Sequence, residues 1–151
     1  MLHFQGIEYA PFLHELHTLG FAKPWSLASF QQILSLPSTF GFCTEKGFIL
    51  CSDLADDIEI LTFTVHPRYR QKGLGKSLLQ HLQQYAIRHK KKHIFLEVNQ
   101  QNNAALSLYL KQGFQQTGCR KNYYHEGETT VDALCLEWEN PQLNTEDSGS
   151  T

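Results

Sequence analysis

The stretch Val65-His66-Pro67-Arg68-Tyr69-Arg70-Gln71-Lys72-Gly73-Leu74-Gly75-Lys76-Ser77 decides how this chain is read. The residues leading into it, 58–65, are β-branched or aromatic with apolar types on both faces, which predicts a central strand buried on two sides. His66-Pro67 stops that strand. After the loop, Leu74, Leu78, Leu82, Tyr85 and Ala86 recur at helical spacing to about Lys90. A strand that runs through a basic, glycine-containing turn into a helix is an anion site. The first helical N–H groups have no internal partner, and the helix dipole favours negative charge there. Gly73 and Gly75 would let a bulky phosphate approach the backbone, and Arg70, Lys72 and Lys76 add charge. A pyrophosphate is the natural guest; a solvated basic turn is the plainer alternative.

Working outward, residues 94–98 form a second short buried strand, so strand, helix and strand follow one another as a βαβ unit with parallel strands. Upstream, residues 11–20 read as a helix, with Pro11 at its first position and Phe12, Leu16 and Leu19 as its apolar stripe. A second helix starts at the N-cap Ser26, buries Leu27, Phe30, Ile33 and Leu34, and ends by Pro37. Trp25 sits in the joint as core. Residues 40–44 and 48–52 flank Glu45-Lys46-Gly47 as a hairpin. Downstream, Asn102 caps a helix over 103–112, and Gly113 ends it in a left-handed conformation. Residues 114–119 and 129–138 read as two last strands around a turn at Glu126-Gly127-Glu128. The order predicts one mixed α/β (α+β) domain over residues 1–139, and the polar residues 140–151 read as a disordered tail.

Composition narrows the function. The chain has 151 residues, and 41% of them are hydrophobic; that suits one domain with a real core. Its 13 basic and 15 acidic side chains leave a formal charge of −2, against direct nucleic-acid binding. No run approaches the ~20 apolar residues of a membrane span, and no secretory signal is visible, so a cytoplasmic protein is expected, monomeric by default. The cysteines, Cys43, Cys51, Cys119 and Cys135, form no CxxC pair and read as small buried or half-buried hydrophobes. His14 and His17 at i, i+3 are a weak metal hint; without HExxH or paired Cys/His groups no metal is expected. The run His89-Lys90-Lys91-Lys92-His93 suits a helix C-terminus. Asp53, Asp56, Asp57 and Glu59 have two open uses, drawing in a basic peptide or forming a solvated acidic turn.

Two phosphate-loop patterns compete. Gly75-Lys76-Ser77 imitates the end of GxxxxGK[ST], but the first glycine would fall on Arg70, which loses the tight turn. Arg70-x-x-Gly73-x-Gly75 fits [Q/R]xxGxG in full. Around it stand Lys23-Pro24-Trp25-Ser26, Ile60-Leu61-Thr62-Phe63-Thr64-Val65-His66-Pro67, Phe95-Leu96-Glu97-Val98, Asn102-Asn103-Ala104-Ala105, Leu108-Tyr109, Gly113-Phe114, Arg120-Lys121-Asn122-Tyr123-Tyr124 and Asp132-Ala133-Leu134. With these segments the chain, over roughly residues 7–138, resembles the GNAT acyl-CoA N-acetyltransferases. Within that family it looks like the RimI-like subgroup, which acetylates the N-terminal alanine of a small-subunit ribosomal protein.

The resemblance implies a mixed, mostly antiparallel sheet with a central parallel βαβ unit, helices on both faces, and two parallel strands that splay to admit pantetheine. It implies acetyl-CoA as acetyl donor and the N-terminal peptide of a ribosomal protein as partner. Backbone groups of Phe63, Thr64 and Val65 would pair with pantetheine as an added strand, and the Val65 N–H would polarise the thioester carbonyl. Amides from Gln71, Lys72, Gly73, Leu74, Gly75 and Lys76, beside Arg70, would hold the pyrophosphate, and Asn102 would hydrogen-bond the cofactor. Glu97 would be the general base, with Glu59 in reserve, and Tyr109 the general acid.

Those roles make chemical sense. An α-amine has a pKa of about 7.7–8, against about 10.4 for lysine, so a carboxylate can deprotonate it without extreme tuning. Glu97 lies in an apolar run, where partial burial would raise its pKa. Tyr109 follows Asn102 by two helical turns, which puts both on one face. Tyr123 and Tyr124 would border the peptide groove or pack in the sheet. One position departs from the subgroup: Thr62 stands where asparagine is common, near the expected acceptor groove. Other readings are a GNAT enzyme acting on a polyamine or antibiotic, and a non-catalytic CoA-binding module.

Overall fold

A computed structural model describes residues 1–126 and 129–143. In chain order the elements are β1 (Leu2–Phe4), α1 (Ala10–Gly20), α2 (Leu27–Leu34), β2 (Thr39–Thr44), β3 (Gly47–Leu54), β4 (Asp57–Val65), α3 (Leu74–Arg88), β5 (His93–Asn99), α4 (Asn103–Lys111), β6 (Gln115–Glu126) and β7 (Thr129–Glu139). Single 3₁₀ turns at Ile7–Tyr9 and Pro67–Tyr69 lead into α1 and the basic loop. The seven strands form one sheet in the order β1-β2-β3-β4-β5-β7-β6. Every neighbouring pair is antiparallel except β4 with β5, which run parallel as the βαβ reading requires.

Period-2 alternation sends side chains to two cores. On one face Leu13 and Leu16 of α1 and Phe30 and Leu34 of α2 pack with Phe48 and Leu50 of β3. On the other, Leu78, Leu79, Leu82 and Ala86 of α3 pack with Ile49, Cys51, Ile58, Ile60 and Ile94. The local signals are those the sequence carries: the Ser26 hydroxyl accepts from Ser29 N at 3.0 Å, the Asn102 side chain accepts from Ala105 N at 3.2 Å, and Gly113 has φ +92°.

The strand pair at the centre barely pairs. Its register holds for Asp57, Ile58 and Glu59 against His93, Ile94 and Phe95 and then ends, so β4 and β5 part like the arms of a V. The apex is tied by polar side chains: Lys91 Nζ lies 2.7 Å from Asp53, His93 Nδ1 lies 3.0 Å from Asp57, and Lys92 Nζ lies 3.7 Å from Asp56. The acidic connection and the basic run after α3 are therefore each other's partners. Asp53, Asp56 and Asp57 brace the closed end of the V.

A bulge shapes the other arm. Cys51 faces Ile60 and Leu50 faces Thr62, so Leu61 is an extra residue in β4. Before it, Ile58 and Ile60 face α3; after it, Phe63 and Val65 do. The bulge thus reverses which side chains face which helices and turns Thr62 toward α1, where it meets His17.

Several features depart from the sequence reading. Strand β1 was unforeseen; it pairs with β2 and sets Phe4 opposite Gly41. Strand β6 continues through Arg120 to Glu126, with a second bulge where Lys121, Asn122 and Tyr123 oppose only Asp132. Asn140, read as the start of the tail, is buried and bonds Lys91 O and Lys92 O at 2.8 and 2.9 Å. Cys119 is exposed, whereas Cys43 and Cys51 are buried. Gly127 and Glu128 of the expected turn, and residues 144–151 of the expected tail, lie outside the described residues.

Gly41 shows why β1 fits. A Cβ there would meet the Ile49 carbonyl oxygen and the Phe4 ring. Gly41→Ala is expected to cost about 1–3 kcal/mol, the usual range for overpacking, measured by urea unfolding.

Candidate active site

Where β4 and β5 part, a cleft of about 1050 Å³ opens. Beyond the end of β4 lies the basic loop. Gly73 is the N-cap of α3 with φ +84°, a conformation suited to glycine, and nothing stands within 4 Å of where its Cβ would be. The first backbone bond of α3 runs from Ser77 N to Gly73 O at 3.0 Å, so the amides of Leu74, Gly75 and Lys76 precede the helical ladder, as an anion cradle needs. The two glycines differ in surroundings. A Cβ on Gly75 would lie in ordinary contact with Leu108 and Phe63, whereas one on Gly73 would meet open space.

Arg70 Nε donates to Val65 O at 3.0 Å, and a terminal nitrogen lies 3.4 Å from Gly20 O. The guanidinium straps the loop to the end of β4 and the end of α1. Lys72 and Lys46 lie over the Tyr69 ring, 5.6 and 4.9 Å from its centroid.

The strand edge facing the gap can be read from its pairing. His66 N donates to Lys46 O at 2.7 Å, toward β3. Antiparallel alternation then directs the backbone groups of Thr64 to β3 and those of Val65 and Phe63 toward the gap. Phe63 and Val65 thus leave an open backbone edge on the side away from β3, and Thr64 pairs with β3. Arg70 takes the Val65 carbonyl, and the Val65 N–H points away from β3.

Two carboxylates, Glu59 and Glu97, and three phenols, Tyr109, Tyr123 and Tyr124, line the walls. Glu97 is not sunk among apolar neighbours as expected: Leu96 and Val98 turn into the core, and Glu97 faces out, exposed. One terminal nitrogen of Arg120 lies 2.9 and 3.1 Å from its two oxygens, and the same guanidinium sits 4.1 Å over the Tyr123 ring. Burial, with the Glu97 charge nearby, raises the Glu59 carboxyl above its ordinary range. Tyr109 is buried on the α3 side, edge-on to Phe63 at 6.2 Å, and burial pushes its phenol up so that it keeps its proton. Asn102 and Tyr109 line the same cleft, as two turns of α4 require.

Sequence reasoning missed His17. It is buried, its Nδ1 accepts from Trp25 N at 3.0 Å, and its Nε2 lies 3.0 Å from Thr62 Oγ1. His14 Nδ1 bonds Trp25 O at 3.1 Å. The pair spaced i, i+3 therefore clamps one backbone residue in the α1–α2 joint. Trp25, Tyr123 and Tyr124 all line the cleft.

Comparison with known proteins fits this architecture. Residues 10–114 match the family model described as "Acetyltransferase (GNAT) family". The chain belongs to the GNAT acetyltransferase family. It is thus an N-acetyltransferase, and members of this family use acetyl-CoA. A relative from Escherichia coli strain K12, named ribosomal protein bS18-alanine N-acetyltransferase, is 28% identical over 83% of this chain and 88% of its own. One from Mycobacterium tuberculosis, named N-alpha-acetyltransferase RimI, is 34% identical over 67% of this chain and 68% of its own. The crystal structure of the Escherichia coli ribosomal-protein-S18-alanine N-acetyltransferase superposes with a TM-score of 0.83 at 24% identity, covering 91% of this chain and 92% of that one.

His17 has a measurable signature. Burial, and then the nearby His14, lower its pKa to about 4. An unfolded chain takes up this proton below a pH of about 6.5, and the folded chain only near 4. Stability contributed here is present above that window and falls as pH drops from 6.5 toward 4, by about 2–3 kcal/mol. Urea unfolding at pH 7 and pH 4.5 is expected to show that loss, and His17→Gln to lack this share of it.

Proposed function

We propose that this chain transfers the acetyl group of acetyl-CoA to the N-terminal α-amine of a protein, with the alanine terminus of ribosomal protein bS18 as the acceptor. The observation that carries the reading is the V between β4 and β5: an open strand edge and an anion cradle on one side, paired carboxylates on the other. The relatives' names support the acceptor, and the cleft's second wall of Trp25, Tyr123 and Tyr124 suits a peptide.

The donor's pyrophosphate meets the amides from Gln71 to Lys76, and its pantetheine arm extends the sheet along Phe63 and Val65. The Asn102 oxygen already caps α4, which leaves its amide N–H groups for the donor. The acceptor ammonium gives a proton to Glu97, directly or through a water. Arg120 contacts that carboxylate through a single nitrogen, so lone pairs remain open. The freed amine forms a bond to the thioester carbon while the Val65 N–H stabilises the developing oxyanion. The carbon–sulfur bond then breaks, Tyr109 passes its proton to the departing thiolate, and the extra proton left on the new amide nitrogen is released through solvent to restore the phenol. Glu59 is the alternative proton acceptor, one strand away. In the described residues no helix is long and apolar enough to cross a membrane, in keeping with action in the cytoplasm.

An Ala-starting basic peptide is expected to gain about 42 Da, one acetyl group, by mass spectrometry, and acetyl-CoA but not ATP to raise the melting temperature. Modification of polyamines alone would overturn the acceptor. Glu97→Gln and Tyr109→Phe should each lower kcat by about 10²–10⁴; a loss of that size in Glu59→Gln instead would move the base to β4.

A further inference from the structure

Thr62 is a buried hydroxyl on the cleft wall whose hydrogen-bonding direction is fixed from outside. The chain of reasoning starts at a group with no choice. The Trp25 backbone N–H can only donate, and it points at His17 Nδ1. A neutral imidazole accepting at Nδ1 carries its proton on Nε2, and the low basicity of this buried ring keeps it neutral. Nε2–H therefore donates to Thr62 Oγ1. A hydroxyl that accepts from the ring keeps its own O–H for another partner. The backbone beside it is engaged with β3, and the free space is the cleft.

Thr62 thus presents a hydrogen-bond donor to the cleft, on the same side of β4 as Glu59 and Leu61, because the bulge at Leu61 reverses the alternation there. Glu59 and Glu97 are suited to the acceptor's ammonium. A donor that lines the same cleft as two carboxylates suits a guest with an acceptor atom near its amine, and a peptide N-terminus has one in its first carbonyl oxygen. A polyamine has none. We propose that Thr62, oriented by His17, determines acceptor specificity by donating a hydrogen bond to the carbonyl next to the reacting amine, so that the enzyme selects α-amino amides over simple amines. This rests on the peptide-acetylating reading above and deepens it.

The test uses the full chain, acetyl-CoA and two acceptors: an Ala-starting peptide and its analogue with the first carbonyl reduced to methylene. The wild type is expected to favour the peptide by about tenfold or more in kcat/KM, the scale of one lost hydrogen bond in a polar site. Thr62→Val should remove most of that preference by slowing the peptide reaction only, with the acetyl-CoA KM unchanged. Thr62→Ser, which keeps the hydroxyl, should restore it. An equal loss on both acceptors, or a wild type that does not distinguish them, overturns the proposal while the peptide reading stands. A wild type that acetylates only simple amines overturns both. Wild-type discrimination needs no variant, so the proposal stays exposed to refutation even if Thr62→Val folds poorly.

Discussion

Three residues of parallel pairing, and then none, is the constraint on which this molecule is organised. Backbone N–H and C=O groups inside a protein need partners. At the centre of a seven-stranded sheet, β4 and β5 stop supplying them to each other beyond Glu59 and Phe95. The edge left at Phe63 and Val65 is a set of directional groups facing space. A ligand that offers amides in an extended arrangement can complete that ladder, and the pantetheine arm of coenzyme A is such a ligand.

The bulge at Leu61 gives the sheet a division of labour. With strict alternation, Thr62 would face α3 and Phe63 would face α1. One extra residue places Phe63 against Tyr109 on the α3 side and Thr62 against His17 on the α1 side. Arg70 joins these halves, since its guanidinium bonds the carbonyls that end β4 and α1.

Much of this was legible in the chain because its signals are local. The two-sided strand, the basic glycine turn, the caps at Ser26 and Asn102, and the left-handed Gly113 each depend on residues within a few positions of one another. What escaped reading is long-range. His17 meets Thr62 across 45 positions, and Arg120 meets Glu97 across 23. Neither histidine spacing nor an apolar run announces such a partner, so His17 looked like a metal hint and Glu97 like a buried acid. The ion pairs of residues 53–57 with 91–93 were hidden likewise, because each charged run has a plausible use alone. Strand β1 is three residues long and exists because Gly41 leaves room for Phe4.

The ion-paired apex of the V has a consequence of its own. Lys91 is nearly enclosed, and it grips both the Asp53 carboxylate and the Ala55 carbonyl at 2.7 and 2.6 Å. It pins the start of β5 to the β3–β4 turn, at the closed end of the V. A small rotation at such a pivot becomes a larger displacement at the tips. Evolution can therefore retune the aperture for a bulkier guest by altering the pivot, with every group that touches the reactants left in place.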